Sequence, residues 1–135
     1  MGFICRWFPF LCKQDPVVPE PISNDFLLLL NNLRAKQSLK PMKSDDRVTK
    51  LAQDWANQQA KSDVMSHGDF PKRVSKVFPN TWCAENVGMN TTDTSKMFSA
   101  WTKSSGHYDN MMGDYTHAGF GLATSKSGKI YYCAD

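Results

Sequence analysis

The apolar residues recur at helical spacing between residues 26 and 59 and at strand spacing near residues 118–133, and this change of period most limits the available folds. Ser23, Asn24 and Asp25 offer N-cap oxygens ahead of Phe26–Leu30, Leu33 and Ala35, which predicts a helix over about 25–37 that ends at Leu39-Lys40-Pro41-Met42. Ser44 or Asp45 caps a second helix, on which Val48, Leu51, Ala52, Trp55, Ala56 and Gln59 share one face. Asp93 and Thr94 can cap a third through Met97, Phe98 and Trp101, ending near Ser105-Gly106. The runs 118–124 and 129–133, joined by Ser125-Lys126-Ser127-Gly128, read as a β-hairpin. Helices followed by strands, rather than alternating with them, point to an α+β domain with an antiparallel sheet.

A chain of 135 residues suffices for one domain with a sizeable core and is too short for two. Its 16 basic and 13 acidic residues are mixed along the sequence, with no basic stripe to track phosphates, so nucleic acid is not an expected partner. Arg34, Lys36 and Lys40 form the densest basic group and read as a solvated helix end. After Met65-Ser66-His67-Gly68 the periodicity is lost, and Pro71, Pro79 and Asn80 mark a long irregular passage up to Trp82. Loops of this length are usually functional or pinned by other elements.

Residues 1–22 form an aromatic, cysteine-containing extension with a proline-rich linker, and the domain is expected over 23–135. Arg6 and Pro9 interrupt the apolar run, so neither a membrane span nor a typical signal peptide is expected there, and Arg6 stands where a myristoylation signal wants Ser or Thr. Three readings remain: a membrane-interface anchor with Cys5 or Cys12 acylated, a disulfide-closed loop packed on the domain or on a partner, and an atypical targeting segment. Residues 1–22 are thus expected to meet a protein partner or a lipid surface. Pro16, Pro19 and Pro21 make the stretch before the domain a stiff linker. The four cysteines lack metal-binding spacing. They suit two disulfides, or one disulfide plus a modified tail, although intracellular proteins also carry buried free cysteines. Cys83, Cys133, Cys5 and Cys12 are therefore the disulfide candidates.

Several motifs stand in a familiar order. Asn31-Asn32-Leu33-Arg34, Leu39-Lys40-Pro41-Met42 and Leu51-Ala52-Gln53-Asp54-Trp55-Ala56 are followed by Met65-Ser66-His67, Ala84-Glu85-Asn86-Val87, and Trp101-Thr102-Lys103-Ser104-Ser105-Gly106-His107-Tyr108-Asp109-Asn110. Ala118-Gly119-Phe120-Gly121 and Tyr131-Tyr132-Cys133 close the chain. This order resembles the CAP superfamily, the cysteine-rich secretory, antigen 5 and pathogenesis-related domains, in its short bacterial form. The resemblance implies a three-layer α-β-α sandwich with a central antiparallel sheet. It also implies a cleft of two histidines and two acids, of which His67, Glu85 and His107 fill three positions; the second glutamate falls on Ser104.

Two imidazoles and a carboxylate make a sound set of ligands for Zn2+ or another divalent cation. Asn86, Ser104, Tyr108 and Asn110 are expected to support the cleft, and His117, which has no counterpart in it, to be exposed. The resemblance implies a secreted or surface-displayed binding and interaction module. One alternative is a structural or accessory subunit of a larger assembly, such as a virus particle, docked through residues 1–22. Another is a metal-dependent hydrolase with Glu85 as catalytic base, against which stands the absence of a nucleophile elbow.

Overall fold

The computed structural model describes residues 22–91 and 93–135; Cys5, Cys12 and the aromatic extension lie outside the described residues. Helix α1 spans Ile22–Lys36, so it begins ahead of the three polar residues expected to cap it. Strand β1 is the short Lys43–Ser44. Helix α2, Asp46–Ser62, is capped by Asp45, whose side chain accepts from the Arg47 N–H at 2.8 Å. Helix α3, Phe70–Ser75, lies inside the passage expected to be irregular. Its Asp69 cap accepts from the Lys72 N–H, and Pro71 stands in the first turn, where a missing N–H costs nothing.

Strand β2 is Asn86–Met89, and helix α4 is Thr94–Thr102. The third helix therefore ends earlier than its apolar spacing suggests, because a separate helix α5, Ser105–Met111, begins after Ser104. Strands β3 (His117–Ala118), β4 (Phe120–Thr124) and β5 (Ile130–Ala134) complete the chain. The hairpin expected from sequence is β4–β5, and β2 joins it in the antiparallel order β2-β5-β4. β1 and β3 pair separately in parallel, Lys43 beside His117.

Register decides which side chains reach which layer. Val87, Cys133 and Gly121 stand side by side across the three strands, and Val87 and Cys133 pack on Ala52 and Ala56 of α2. One residue further, Phe120, Tyr132 and Ala134 face the opposite way and pack with Phe26 and Leu30 of α1 and Met97 and Trp101 of α4. The sheet thus lies between α2 on one face and α1 and α4 on the other, the α-β-α sandwich of an α+β domain.

Two motif residues of α1 hold the turn that follows it. Asn31 donates to the Met42 carbonyl at 2.9 Å and accepts from the Met42 N–H at 2.8 Å. Arg34 is not a solvated helix end: it is buried, and its guanidinium donates to the carbonyls of Lys40, Met111 and Gly113 at 2.8–2.9 Å. Lys36 and Lys40 are exposed, as expected.

Helix α2 approaches β4 through glycine. A Cβ at Gly121 would stand 2.7 Å from the Gln53 nitrogen and closer still to its Cα, and one at Gly119 would stand 2.6 Å from Thr49 Cα. Gln53 answers by accepting from the Leu122 N–H at 3.2 Å and donating to its carbonyl at 2.7 Å, so the open edge of β4 is occupied. Gly121→Ala is expected to lower stability by about 1–3 kcal/mol, read from the urea midpoint, because the obstructing atoms are backbone and cannot turn aside.

Candidate functional site

Trp55 organises the loop that carries the first histidine. Its indole N–H donates to the Ser66 carbonyl at 2.7 Å, and Gln59, fully buried on the same helix, accepts from the Ser66 N–H at 3.2 Å. Gly68 adopts φ +54°, and a Cβ there would stand 2.6 Å from the Trp55 ring, so the chain turns tightly against the indole just after His67. Arg73 of α3 then lies over the Trp55 ring, 4.0 Å from its centroid, and donates to the His67 carbonyl at 2.8 Å.

Glu85 enters from the residue before β2, and its side chain is only 1% exposed. Oε1 is 2.8 Å from His67 Nδ1. Oε2 accepts from Arg73 Nη2 at 2.7 Å and from the Cys133 thiol at 3.4 Å. Asp135 is brought beneath it by the ladder, since its backbone N–H and carbonyl both pair with Gly119 at 3.0 and 2.9 Å. Asp135 Oδ2 is shut off from water with no N–H or O–H donor in reach. A carboxylate there would be buried beside the Glu85 carboxyl, with only the Arg73 charge and the Cys133 thiol to offset it, whereas the neutral acid can donate to Glu85. Burial first, then the Glu85 charge and this hydrogen bond, raise the Asp135 pKa to about 8.

His107 arrives on α5. Its Nδ1 is 2.8 Å from Ser104 Oγ, and its ring lies nearly parallel to Trp101 at 6.2 Å. Ser104 is the N-cap residue of α5, but its hydroxyl bonds the imidazole three residues on and caps no backbone N–H. Burial, and then the nearby charge of His67, lower the His107 pKa. Asn86 donates to the His107 carbonyl at 3.1 Å, and Asn110 donates to Asn86 Oδ1 at 2.9 Å and to the Glu85 carbonyl at 3.3 Å.

His67 and Glu85 thus touch, His107 stands near them, Asn86 and Ser104 bond His107, and Asn110 bonds Glu85 and Asn86. Tyr108 is half-buried and takes no part in these bonds. His117 is exposed on β3, its Nδ1 2.8 Å from Thr116 Oγ1. Among the described residues, the set of three ligating atoms that comes within 4.8 Å is Glu85, Cys133 and Asp135, not the two histidines with Glu85.

Of the four disulfide candidates, Cys83 and Cys133 are free thiols, and Cys5 and Cys12 lie outside the described residues. Cys133 points from β5 into the α2 layer with its S–H toward Glu85, while Cys83 stands half-buried on the wall of a groove that Asp135 also lines. Burial and the neighbouring carboxyl groups hold the Cys133 thiol well above its ordinary pKa, so it stays protonated. Arg73 and Asp135 were not anticipated. Nothing in the sequence singles out Arg73, but period two places Asp135 on the face of Tyr131 and Cys133.

The model of the CAP cysteine-rich secretory protein family matches residues 27–134. The chain belongs to this family. It is 28% identical over 121 residues to the pathogenesis-related protein PR-1 of Medicago truncatula, covering 83% of this chain and 65% of that protein, so it spans just under two thirds of that relative's length. In fold it is similar to an outer surface protein of Borrelia burgdorferi, with a TM-score of 0.69, 17% identity, and coverage of 82% of this chain and 87% of that one. An extracellular protein of Bacillus anthracis containing an SCP domain also matches with a TM-score of 0.69, at 18% identity over 84% of this chain and 39% of that one.

This CAP domain has a groove of about 450 Å³ between α1, the start of α2 and the loop after α3. Asn86, Asn110 and Asp135 line its floor, so the polar cluster separates the groove from the histidines.

The proton on Asp135 has a measurable consequence. The folded chain keeps it up to about pH 8, whereas the unfolded chain releases it near pH 4, so stability falls as pH rises through that interval and is unaffected by this group below it. Asp135→Asn is expected to reduce the difference in urea midpoint between pH 5 and pH 8. An unchanged difference would show that Asp135 is ionised in the fold. By NMR, His107 is expected to titrate below the ordinary histidine value of about 6.5 and to move back toward it in His67→Ala, which removes the neighbouring charge.

Proposed function

We propose that this chain is an extracellular or surface-displayed binding module whose working groups are the Nε2 atoms of His67 and His107. The observation that carries the reading is the way both imidazoles are held. Each is gripped through Nδ1, by Glu85 in one case and Ser104 in the other, both at 2.8 Å, and no hydrogen bond to either Nε2 is formed among the described residues. A metal-ligating histidine is typically oriented by a hydrogen bond to its other nitrogen, often from a carboxylate. Burial also keeps His107 neutral to lower pH, the form a cation requires.

On this reading Zn2+ or another divalent cation would be held by His67 and His107, with Glu85 as the orienting carboxylate and the remaining positions left to water or a bound partner. Such an ion would supply a Lewis-acid contact for an oxygen or nitrogen donor of the ligand. Binding is favoured over hydrolysis because Glu85, 1% exposed and already bonded to His67, Arg73 and Cys133, is poorly reached by a water it would have to activate. The outer-surface and extracellular descriptions of the similar proteins support display outside the cell. No helix among the described residues is long and apolar enough to cross a membrane.

Calorimetry with Zn2+ tests the reading. His67→Ala and His107→Ala should each weaken binding at least tenfold, and Glu85→Gln, which keeps both ligands, by about 10–100-fold. Zinc binding unchanged in the double histidine variant would refute it.

A further inference from the structure

The groove is distinct from the histidine site and asks for an occupant. Phe26 and Leu30 of α1 form one wall, Val48 and Leu51 of α2 another, and Val74 and Phe78 a third. Its lip continues onto Trp82, which is 92% exposed. Phe26 and Leu30 are core residues, each 2% exposed, whose edges reach this groove, while Val48, Leu51 and Phe78 are half-buried along it. An apolar surface of this kind marks an interaction site.

The chain carries a segment of matching chemistry. Phe3, Ile4, Trp7, Phe8, Phe10 and Leu11 precede α1, and a side chain of that helix, Phe26, already forms part of the wall only four residues beyond Ile22. The eleven steps from Leu11 to Ile22, read from sequence as an extended proline-rich linker, cover about 30 Å at ~3.1 Å per residue. That is ample to bring the aromatic residues back over the groove. On the rim Asp45 and Arg47 answer each other at 3.0 Å and the exposed Asp114 carboxylate is attracted to Arg34, so docking there rests on apolar contact rather than charge.

We propose that the groove between α1, α2 and the loop after α3 is the seat of the chain's own aromatic segment, Phe3 to Leu11, docked in cis beside the start of α1. The segment covers the apolar walls, and Trp82 closes over its outer side. This inference is independent of the histidine site.

Photo-crosslinking tests it on the full chain. With p-benzoylphenylalanine in place of Phe10, irradiation should join residue 10 to the peptides 45–51 or 74–84 within one chain, at the mass of a monomer. Trp82→Ala removes an exposed side chain outside the core, so the urea midpoint should hold while the crosslink yield falls at least threefold. Adducts joining two chains would assign the groove to a second copy and overturn docking in cis. Adducts to phospholipid when anionic vesicles are added, with the groove peptides unlabelled, would make the segment a membrane anchor and overturn it equally. So would adducts confined to other surfaces of the domain, or none.

Discussion

The structure depends on the contact between the backbone of α2 and the glycines of the last hairpin. Gly119 and Gly121 leave no Cβ between strand and helix, and Gln53 converts the closeness into two hydrogen bonds with Leu122. At that separation Gln59 reaches the Tyr132 carbonyl at 3.3 Å and the Ser66 N–H at 3.2 Å, and so connects β5 to the histidine loop through a buried amide. One turn earlier, Trp55 takes the Ser66 carbonyl, shapes the turn at Gly68 and supports Arg73. A side chain at either hairpin glycine would lift the helix that holds His67 and Arg73 against Glu85.

The cluster beneath the histidines is balanced in charge. Glu85 is buried, and Arg73, His67 and the Cys133 thiol all reach its carboxyl group. Adding Asp135 as a second anion would break the balance, so it holds a proton instead. The second acid of the usual cleft is replaced at its own position by Ser104, which grips His107, while another carboxyl group arrives from the end of β5 and lies below Glu85 rather than beside the histidines. The two imidazoles are thus held by different groups, one by a carboxylate and one by a hydroxyl, and only the first draws on the buried charge.

What could be read in the sequence follows from the kind of signal each residue leaves. The apolar faces of α1, α2 and α4 and the β4–β5 hairpin were legible because burial repeats along them. The motif order placed His67, Glu85 and His107 in one cleft before any coordinates. α3 was missed because Pro71 reads as a breaker, although in a first turn it starts a helix. β2 was missed because four residues containing Gly88 carry no alternation of their own; it becomes a strand only against β5. Arg34 resembled a surface cation, and only the three carbonyls gathered by the 39–42 turn and the end of α5 make it an interior residue. An even number of cysteines says nothing about the direction in which each points, and Cys133 is turned toward Glu85 rather than toward Cys83.

Arg34 and Asn31 also explain why the groove keeps its shape. Asn31 fixes Met42 through both backbone groups, and Arg34 fixes the carbonyls of Met111 and Gly113; Met42 and Met111 both line the groove. Its floor is equally constrained, because Asn86 and Asn110 bond each other and Asp135 is paired to Gly119 on both backbone groups. A groove between freely moving side chains would collapse on itself to escape water, but walls tied to backbone carbonyls cannot close. The same motif residues that hold the sandwich together therefore leave an apolar slot along α1, which some apolar group has to fill. An occupant meets walls already in place, so little of its binding energy is lost in ordering them.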